Sequence, residues 1–228
     1  YYDEVSRFDA GIGSVIQELE RQEVLDNTFL LVITDNGRPF PRCKTRVNVD
    51  GVKTPFIVRF PSQVEQGVTS DSLVSTVDIG PTILDLAGVR IPDSLQGVSL
   101  KPVLLDPETE VRKYAFAEHN WHDYRAYERA IISPDYLLIK NWAPELQGTP
   151  PADAVRSPTY REMNRLLEAN QLDEKLVSLF STPRPEIELY AWREDLNCLD
   201  NLNRDENRRA VTEKLLGELS LWQSKTAD

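Results

Sequence analysis

Cysteine is scarce in this chain, which has only Cys43 and Cys198 among its 228 residues. Two cysteines so far apart provide neither the ligand spacing of a zinc site nor the framework of a disulfide-stabilised domain. Each is therefore predicted to be a buried free thiol, and cysteine usage does not indicate the cellular compartment.

Long apolar stretches are missing as well. No run approaches the roughly 20 residues that cross a bilayer, so no membrane span is predicted. No signal peptide is present either. Because the sequence begins at Tyr1 rather than at a methionine, we expect an N-terminal region to precede it, and the missing signal then says nothing about secretion. The composition, 40% hydrophobic and 28% charged, is that of a globular protein.

Basic residues are fewer than acidic ones, 26 against 37, and the formal net charge at pH 7 is −11. A protein that binds polyanions over its whole surface is basic, so general nucleic-acid binding is excluded. A small pocket for one anionic group is still compatible with this charge. Four cations stand close together against the acidic background, namely Arg38, Arg42, Lys44 and Arg46.

The first half of the chain is predicted to be α/β. Apolar residues at helical spacing predict an amphipathic helix over 3–23, and the apolar run 28–34 predicts a strand covered on both faces, as in a parallel sheet. A second strand is predicted at 54–60. A helix within 75–89 is predicted to have Pro81 in its first turn and to end at Gly88.

Residues 90–112 are rich in proline, glycine and aspartate, and we place a domain boundary there, between domains 1–110 and 111–228. The second domain is predicted to be a small antiparallel sheet with helices, an α+β unit. Its strands are expected in the segments 113–119, 129–134 and 136–142, with a tight hairpin at Pro134-Asp135, and its helices at 158–180 and 205–224.

Asp35 and Asn36 follow the first predicted strand and offer a carboxylate and an amide carbonyl, the oxygen ligands that hard divalent cations take. Gly37 permits a sharp exit after them. An ordinary turn explains the tripeptide equally well. Lys44 can return along the loop to the same point and hold an anionic oxygen there, although loop cations are often only solvated surface charges.

Four ordered motifs together resemble the second half of type I sulfatases, in the alkaline-phosphatase-like superfamily. They are LDNTFLLVITDNG, GVKTPFIVRFP, STVDIGPTILDLAGV and LQGVSLKPVL. The segment DNGRPFPRCKT is most similar to the branch of N-sulfoglucosamine sulfohydrolase, the sulfamidases. The resemblance covers nearly the whole chain except roughly 143–180, and it implies the C-terminal part of an alkaline-phosphatase-like sheet followed by the α+β subdomain.

The resemblance implies roles for single residues. Asp35 and Asn36 match paired calcium ligands, and Lys44 matches the catalytic, substrate-binding cation that touches the sulfate group. Arg46, two residues further on, is the second choice for substrate contact. The family's nucleophile is a formylglycine made from a Cys/Ser-x-Pro/Ala-x-Arg motif, which neither cysteine fits, and its N-terminal Asp-Asp ligand pair is absent. The nucleophile and about half of the calcium shell are therefore expected outside this chain, in the N-terminal half of the enzyme.

The histidines of the chain, His119 and His122, lie in AEHNWHDY. One such pair is too few ligands for zinc. A polar structural turn and contact with a sugar substrate stay open, and both residues are candidates for substrate binding. Tyr190 and Trp192 are predicted to pack in the core.

The resemblance favours hydrolysis of sulfate esters or N-sulfates on a sulfated sugar or glycosaminoglycan, in a secreted, periplasmic or lysosomal enzyme. Two alternatives are a phosphate or phosphonate monoester hydrolase on the same fold and a non-catalytic module that binds anions or glycans.

Overall fold

The computed structural model describes residues 1–226, which form helices around two antiparallel sheets. The strands are β1 (Leu30–Ile33), β2 (Phe56–Arg59), β3 (Ala115–Trp121), β4 (Arg125–Ile132), β5 (Leu137–Asn141) and β6 (Ile187–Tyr190). The helices are α1 (Tyr2–Arg21), α2 (Val49–Val52), α3 (Ile79–Leu86), α4 (Lys101–Leu105), α5 (Ala152–Val155), α6 (Pro158–Glu168), α7 (Glu174–Val177) and α8 (Arg209–Thr226). Within these residues, no helix has the length and apolar character of a membrane span.

Strand β1 pairs with β2, with Leu30 opposite Arg59 and Ile33 opposite Phe56. Both strands were predicted, but the expectation of a parallel sheet is wrong for residues 1–226, because this pair is antiparallel. All four residues of β1 are half-buried rather than covered on both faces. A continuous apolar run shows that a strand avoids water, but the direction of its neighbour depends on long-range pairing that the run does not encode.

Helix α3 confirms the predicted helix at 75–89 and its end at Gly88. The Gly88 amide donates to the Asp85 carbonyl at 3.0 Å, and the Val89 amide donates to the Leu84 carbonyl at 2.8 Å. Gly88 has a φ of +68°, in the left-handed region. These features form a Schellman motif, in which a glycine after the helix satisfies its last carbonyl groups.

Replacing Gly88 with alanine should lower the free energy of unfolding by about 1–2 kcal/mol, because an L-residue is strained in the left-handed conformation. No atom lies within 4 Å of a β-carbon at this position, so the whole cost is conformational. Urea denaturation would measure it. Gly80→Ala, inside α3 and also in open space, is the matched control and should be neutral or stabilising. A Gly88→Ala variant as stable as the wild type would contradict this role.

The segment 90–112 is firmly attached to α3. The fully buried Asp78 carboxylate accepts hydrogen bonds from the amides of Ser75 at 2.8 Å and Val98 at 2.9 Å, and it forms an ion pair with Arg112. The segment also contains α4. The predicted connecting stretch is therefore anchored at several points along its length.

The second sheet has the order β3-β4-β5-β6, with every neighbouring pair antiparallel. The Ser133 amide donates to the Tyr136 carbonyl at 2.8 Å, which confirms the predicted hairpin between β4 and β5. The helix predicted over 158–180 is interrupted, because α6 ends at Glu168 and Asn170 has a φ of +53° before α7 begins. The last predicted helix is α8.

Each face of this sheet buries its own apolar layer. One layer packs against α8 and is formed by Ile131, Leu138, Leu189, Leu215 and Leu219. The other includes residues from outside the sheet and is formed by Val47, Val49, Ala130, Ile132, Leu137, Ile139, Tyr190, Trp192 and Cys198. Tyr190 and Trp192 thus pack in the core as predicted. Since Val47 and Val49 belong to the second layer, the segment that follows the four cations is fixed onto the sheet.

Candidate functional site

The cation loop, residues 38–46, follows β1 and is closed by backbone hydrogen bonds. The Gly37 amide donates to the Gly51 carbonyl at 2.9 Å, and the Lys44 amide donates to the Arg38 carbonyl at 3.0 Å. A β-carbon at position 37 would overlap the backbone of Asp50, so only glycine allows this close approach. Lys44 therefore lies within a loop whose ends are joined, and Asp35 and Asn36, the residues predicted to bind calcium, come directly before it.

Two residues beside Lys44 have left-handed backbones, with φ of 72° at Arg42 and 68° at Thr45. Such conformations cost roughly 1–2 kcal/mol for an L-residue and persist where surrounding contacts fix them. The Arg42 guanidinium supplies such contacts, since its Nη2 donates to the carbonyls of Asn197 and Cys198, both at 3.0 Å. The loop is thus tied to the segment 197–198 by the Arg42 side chain.

Both cysteines are buried and free, as predicted. Burial raises the pKa of the Cys43 thiol and raises that of Cys198 to about 11. Both thiols are therefore protonated near neutral pH, and neither has the reactive thiolate that nucleophilic cysteines need.

The predicted metal ligands lie at the end of β1. Asp35 is exposed, and within residues 1–226 its carboxylate has no hydrogen bond or ion pair. The Asn36 Nδ2 donates to the Gly37 carbonyl at 2.7 Å, which leaves the side-chain carbonyl oxygen available. These two oxygens fit a hard cation, but calcium takes about 6–8. The described part of the chain contains no cluster of three or more His, Cys, Asp or Glu side chains arranged for a metal.

Lys44 projects toward α5, where its Nζ lies 2.9 Å from the Asp153 Oδ2. The hydrogen bond from Lys44 holds the pKa of Asp153 below its usual value, so this carboxylate is ionised at neutral pH. The next residue, Ala154, is completely buried. Asp153 was not predicted, because it lies within 143–180, outside the motifs that resemble sulfatases, and no local pattern distinguishes it.

Arg46, the second choice for substrate contact, is buried in an ion-pair network. Its side chain is 13% exposed, and its Nη1 lies 3.5 Å from the Glu128 Oε1. The same carboxylate, fully buried, pairs with Arg184. Desolvation raises the pKa of Glu128, but the two guanidinium groups outweigh it and hold the pKa below its ordinary value. Substrate contact by Arg46 stays a prediction.

Neither Glu128 nor Arg184 was predicted to belong to the site. A signal for Glu128 existed, because it occupies a core-facing position of β4 in alternation with Ala130 and Ile132. A charged residue at such a position needs a buried partner. No local pattern identified Arg184, which follows the short turn before β6.

His119 lies directly opposite Glu128 on the neighbouring strand. Burial lowers the pKa of His119, the Glu128 charge opposes this shift, and the Arg46 charge adds to it, so the imidazole is neutral near pH 7. His122 is more exposed, and its Nδ1 lies 3.3 Å from the Asp123 Oδ2. His119 thus lies within electrostatic reach of Glu128 and Arg46, and His122 lies beside Asp123, which accepts a hydrogen bond from the Ala152 amide. Substrate contact by either histidine stays a prediction.

Comparison with solved structures shows which class of proteins shares this fold. The fold matches a protein solved with its substrate D-glucosamine-2-N,6-O-disulfate, with a TM-score of 0.67, 23% identity, and coverage of 96% of this chain and 39% of that one. It also matches a phosphonate monoester hydrolase of Agrobacterium radiobacter, with a TM-score of 0.62, 18% identity, and coverage of 99% and 40%. The fold is that of the C-terminal part of sulfatases and related hydrolases.

The family model "N-sulphoglucosamine sulphohydrolase, C-terminal" matches residues 44–174, and the chain belongs to this family. An ulvan-active sulfatase of Formosa agariphila is 30% identical over 100% of this chain and 38% of its own length. Human N-sulphoglucosamine sulphohydrolase is 28% identical over 100% of this chain and 47% of its own length. The resemblance to sulfatases is confirmed, and the chain spans less than half the length of these relatives.

Proposed function

We propose that this chain is the C-terminal part of a sulfatase that hydrolyses sulfate esters or N-sulfate groups on a sulfated sugar or glycosaminoglycan. The observation that carries the proposal is the hydrogen-bonded loop after β1, which begins directly after Asp35 and Asn36 and contains Lys44. Membership of the sulphohydrolase family and the sulfated-sugar activities named for its relatives support it.

Asp35 and Asn36 would supply part of a Ca²⁺ shell, with the other ligands outside this chain. Calcium, when bound, would neutralise negative charge on the sulfate oxygens. The Lys44 ammonium would donate to a sulfate or bridging oxygen and stabilise the charge that develops as the leaving group departs. The nucleophile, a formylglycine by family resemblance, would also come from outside this chain, so the isolated chain should show no sulfatase turnover.

An N-terminal half of the same enzyme would complete the fold as well as the site. Helix α1 has no buried residue, and its apolar positions Val5, Phe8 and Val15 are 49%, 51% and 54% exposed. The 3.6-residue period of this stripe is typical of a helix that packs against a core. We place the missing half against it, with the domain boundary near residue 110. A location outside the cytosol, in the periplasm, lysosome or extracellular space, goes with this family assignment.

A phosphonate or phosphate monoester hydrolase is the second candidate, because the fold also matches a phosphonate monoester hydrolase. Turnover of 4-nitrophenyl sulfate and of a phenylphosphonate monoester by the complete enzyme would separate the two. Preference for the phosphonate would replace the sulfatase proposal, and binding of sulfated glycan without any turnover would indicate a non-catalytic module.

The metal assignment predicts that Asp35→Ala weakens calcium binding by the complete enzyme at least roughly tenfold to a hundredfold. Removing a residue that only hydrogen-bonds a metal ligand typically lowers metal affinity about 10–100-fold. Asp35 would itself be a ligand, so its loss should cost at least as much. Isothermal titration calorimetry with CaCl₂ measures this without relying on activity. Glu65→Ala removes an exposed acid that lies outside the segment 35–46, and it should bind calcium normally. Unchanged affinity in Asp35→Ala would show that the ligand assignment is wrong.

A further inference from the structure

The carboxylate of Asp153 contacts Lys44, the lysine proposed to bind the sulfate group. The Asp153 Oδ2 lies 2.9 Å from the Lys44 Nζ, although the two residues are 109 positions apart in the chain. A carboxylate at this distance from a sulfate subsite repels the sulfate, and the proposed chemistry gives it no role. Its presence therefore needs an explanation beyond sulfate binding.

Asp153 is fixed in place and open to solvent at the same time. Its Oδ1 accepts a hydrogen bond from the Ala154 amide at 2.8 Å, and the preceding amide of Ala152 donates to the Asp123 Oδ2 at 2.6 Å. Ala154 is completely buried, which anchors α5 to the core. The Asp153 side chain is nevertheless 50% exposed. These hydrogen bonds hold the carboxylate beside Lys44, yet a ligand can reach it because half of the side chain is exposed.

We propose that Asp153 is a specificity-determining residue: its carboxylate accepts a hydrogen bond from a hydroxyl or amino group of the sugar beside the scissile sulfate. This inference rests on the proposed sulfatase function. Lys44 would bridge the carboxylate and the sulfate, so that each anion faces a donor. A sugar that offers a hydroxyl or amine satisfies Asp153, whereas a substrate without such a donor leaves it unpaired and one with a second anion is repelled.

The test compares wild type, Asp153→Asn and Asp153→Ala in the complete enzyme. The kcat/KM values are measured for a panel of singly sulfated hexoses and hexosamines and for 4-nitrophenyl sulfate, which has no hydroxyl or amine. The ratio of the best sugar to the aryl sulfate should fall roughly 10- to 100-fold in Asp153→Ala, the usual cost of losing a hydrogen bond to a charged group. Inorganic sulfate, titrated by calorimetry, should bind more tightly to Asp153→Asn than to the wild type. Glu145→Gln and Glu145→Ala are the controls, because Glu145 is an exposed acid on the loop that precedes α5 and has no side-chain partner in residues 1–226.

Several outcomes would overturn the inference. An unchanged ratio would show that Asp153 does not contact the sugar. An equal loss on sugar and aryl sulfates, with weaker sulfate binding, would reduce Asp153 to a residue that positions Lys44. A similar ratio change in the Glu145 variants would indicate a general effect of loop charge. A wild-type enzyme that neither binds sulfate nor hydrolyses any sulfated compound would instead refute the proposed function itself, and this failure is distinguishable because it does not involve the variants.

Discussion

Lys44→Ala in the complete enzyme is expected to lower kcat for a sulfated substrate by about 10²–10³-fold, the usual loss when one charge-stabilising contact is removed from an active site. The side chain of Lys44 is only 23% exposed, and its charge would act in a partly desolvated site, where electrostatic interactions are stronger than in water. Lys44→Arg keeps the charge, so it should retain a large part of the activity. Steady-state kinetics at fixed ionic strength would measure both variants.

Arg38→Ala is the matched control for Lys44→Ala. Arg38 belongs to the same cation loop, but its side chain is 53% exposed and pairs with Asp50 at 2.8 Å. An exposed pair of this kind contributes roughly 0–1 kcal/mol, so Arg38→Ala should change kcat little. If it costs as much activity as Lys44→Ala, the loop is a general electrostatic patch and Lys44 has no special catalytic role.

Glu128→Gln is expected to destabilise the protein by about 3–5 kcal/mol, the typical cost of removing one partner from a buried ion pair. The variant would remove the buried carboxylate that Arg46 and Arg184 share and leave them the more distant Glu188, whose Oε1 lies 3.8 Å from the Arg184 Nη2. Denaturant unfolding would measure the loss. Glu118→Gln is the control, because Glu118 lies on the neighbouring strand, is 51% exposed and forms an ion pair at 3.5 Å with Arg129. It should cost much less than Glu128→Gln.

The same variant has a pH signature. Since the folded-state pKa of Glu128 is depressed, its stabilising contribution is complete above its ordinary value of 4.5 and is lost as the pH falls through the folded-state value. Protonated Glu128 resembles glutamine, so the stability difference between wild type and Glu128→Gln should shrink in that acidic range. A difference that stays constant down to acidic pH would show that packing, and not charge, carries the effect.

Local features of the sequence identified most of the secondary structure. The apolar stripe predicted α1, Pro134-Asp135 predicted the hairpin between β4 and β5, and Gly88 predicted the end of α3. These features depend on neighbouring residues and on backbone preferences, which a short stretch of sequence contains. The four ordered motifs likewise sufficed to recognise a sulfatase C-terminal region, because each is contiguous.

Contacts between residues far apart in the chain became clear only from the tertiary structure. The antiparallel partner of β1, the burial of Arg46 against Glu128 and the pairing of Lys44 with Asp153 join segments that lie far apart in the chain. Spacing along the loop favoured Lys44 over Arg46 for contact with the sulfate group. It did not reveal that Arg46 pairs with a buried carboxylate, Glu128, and Lys44 with a half-exposed one, Asp153. A cation's environment is set by the charges that folding brings within a few ångströms of it, and these come from strands and helices that no local pattern connects to the loop.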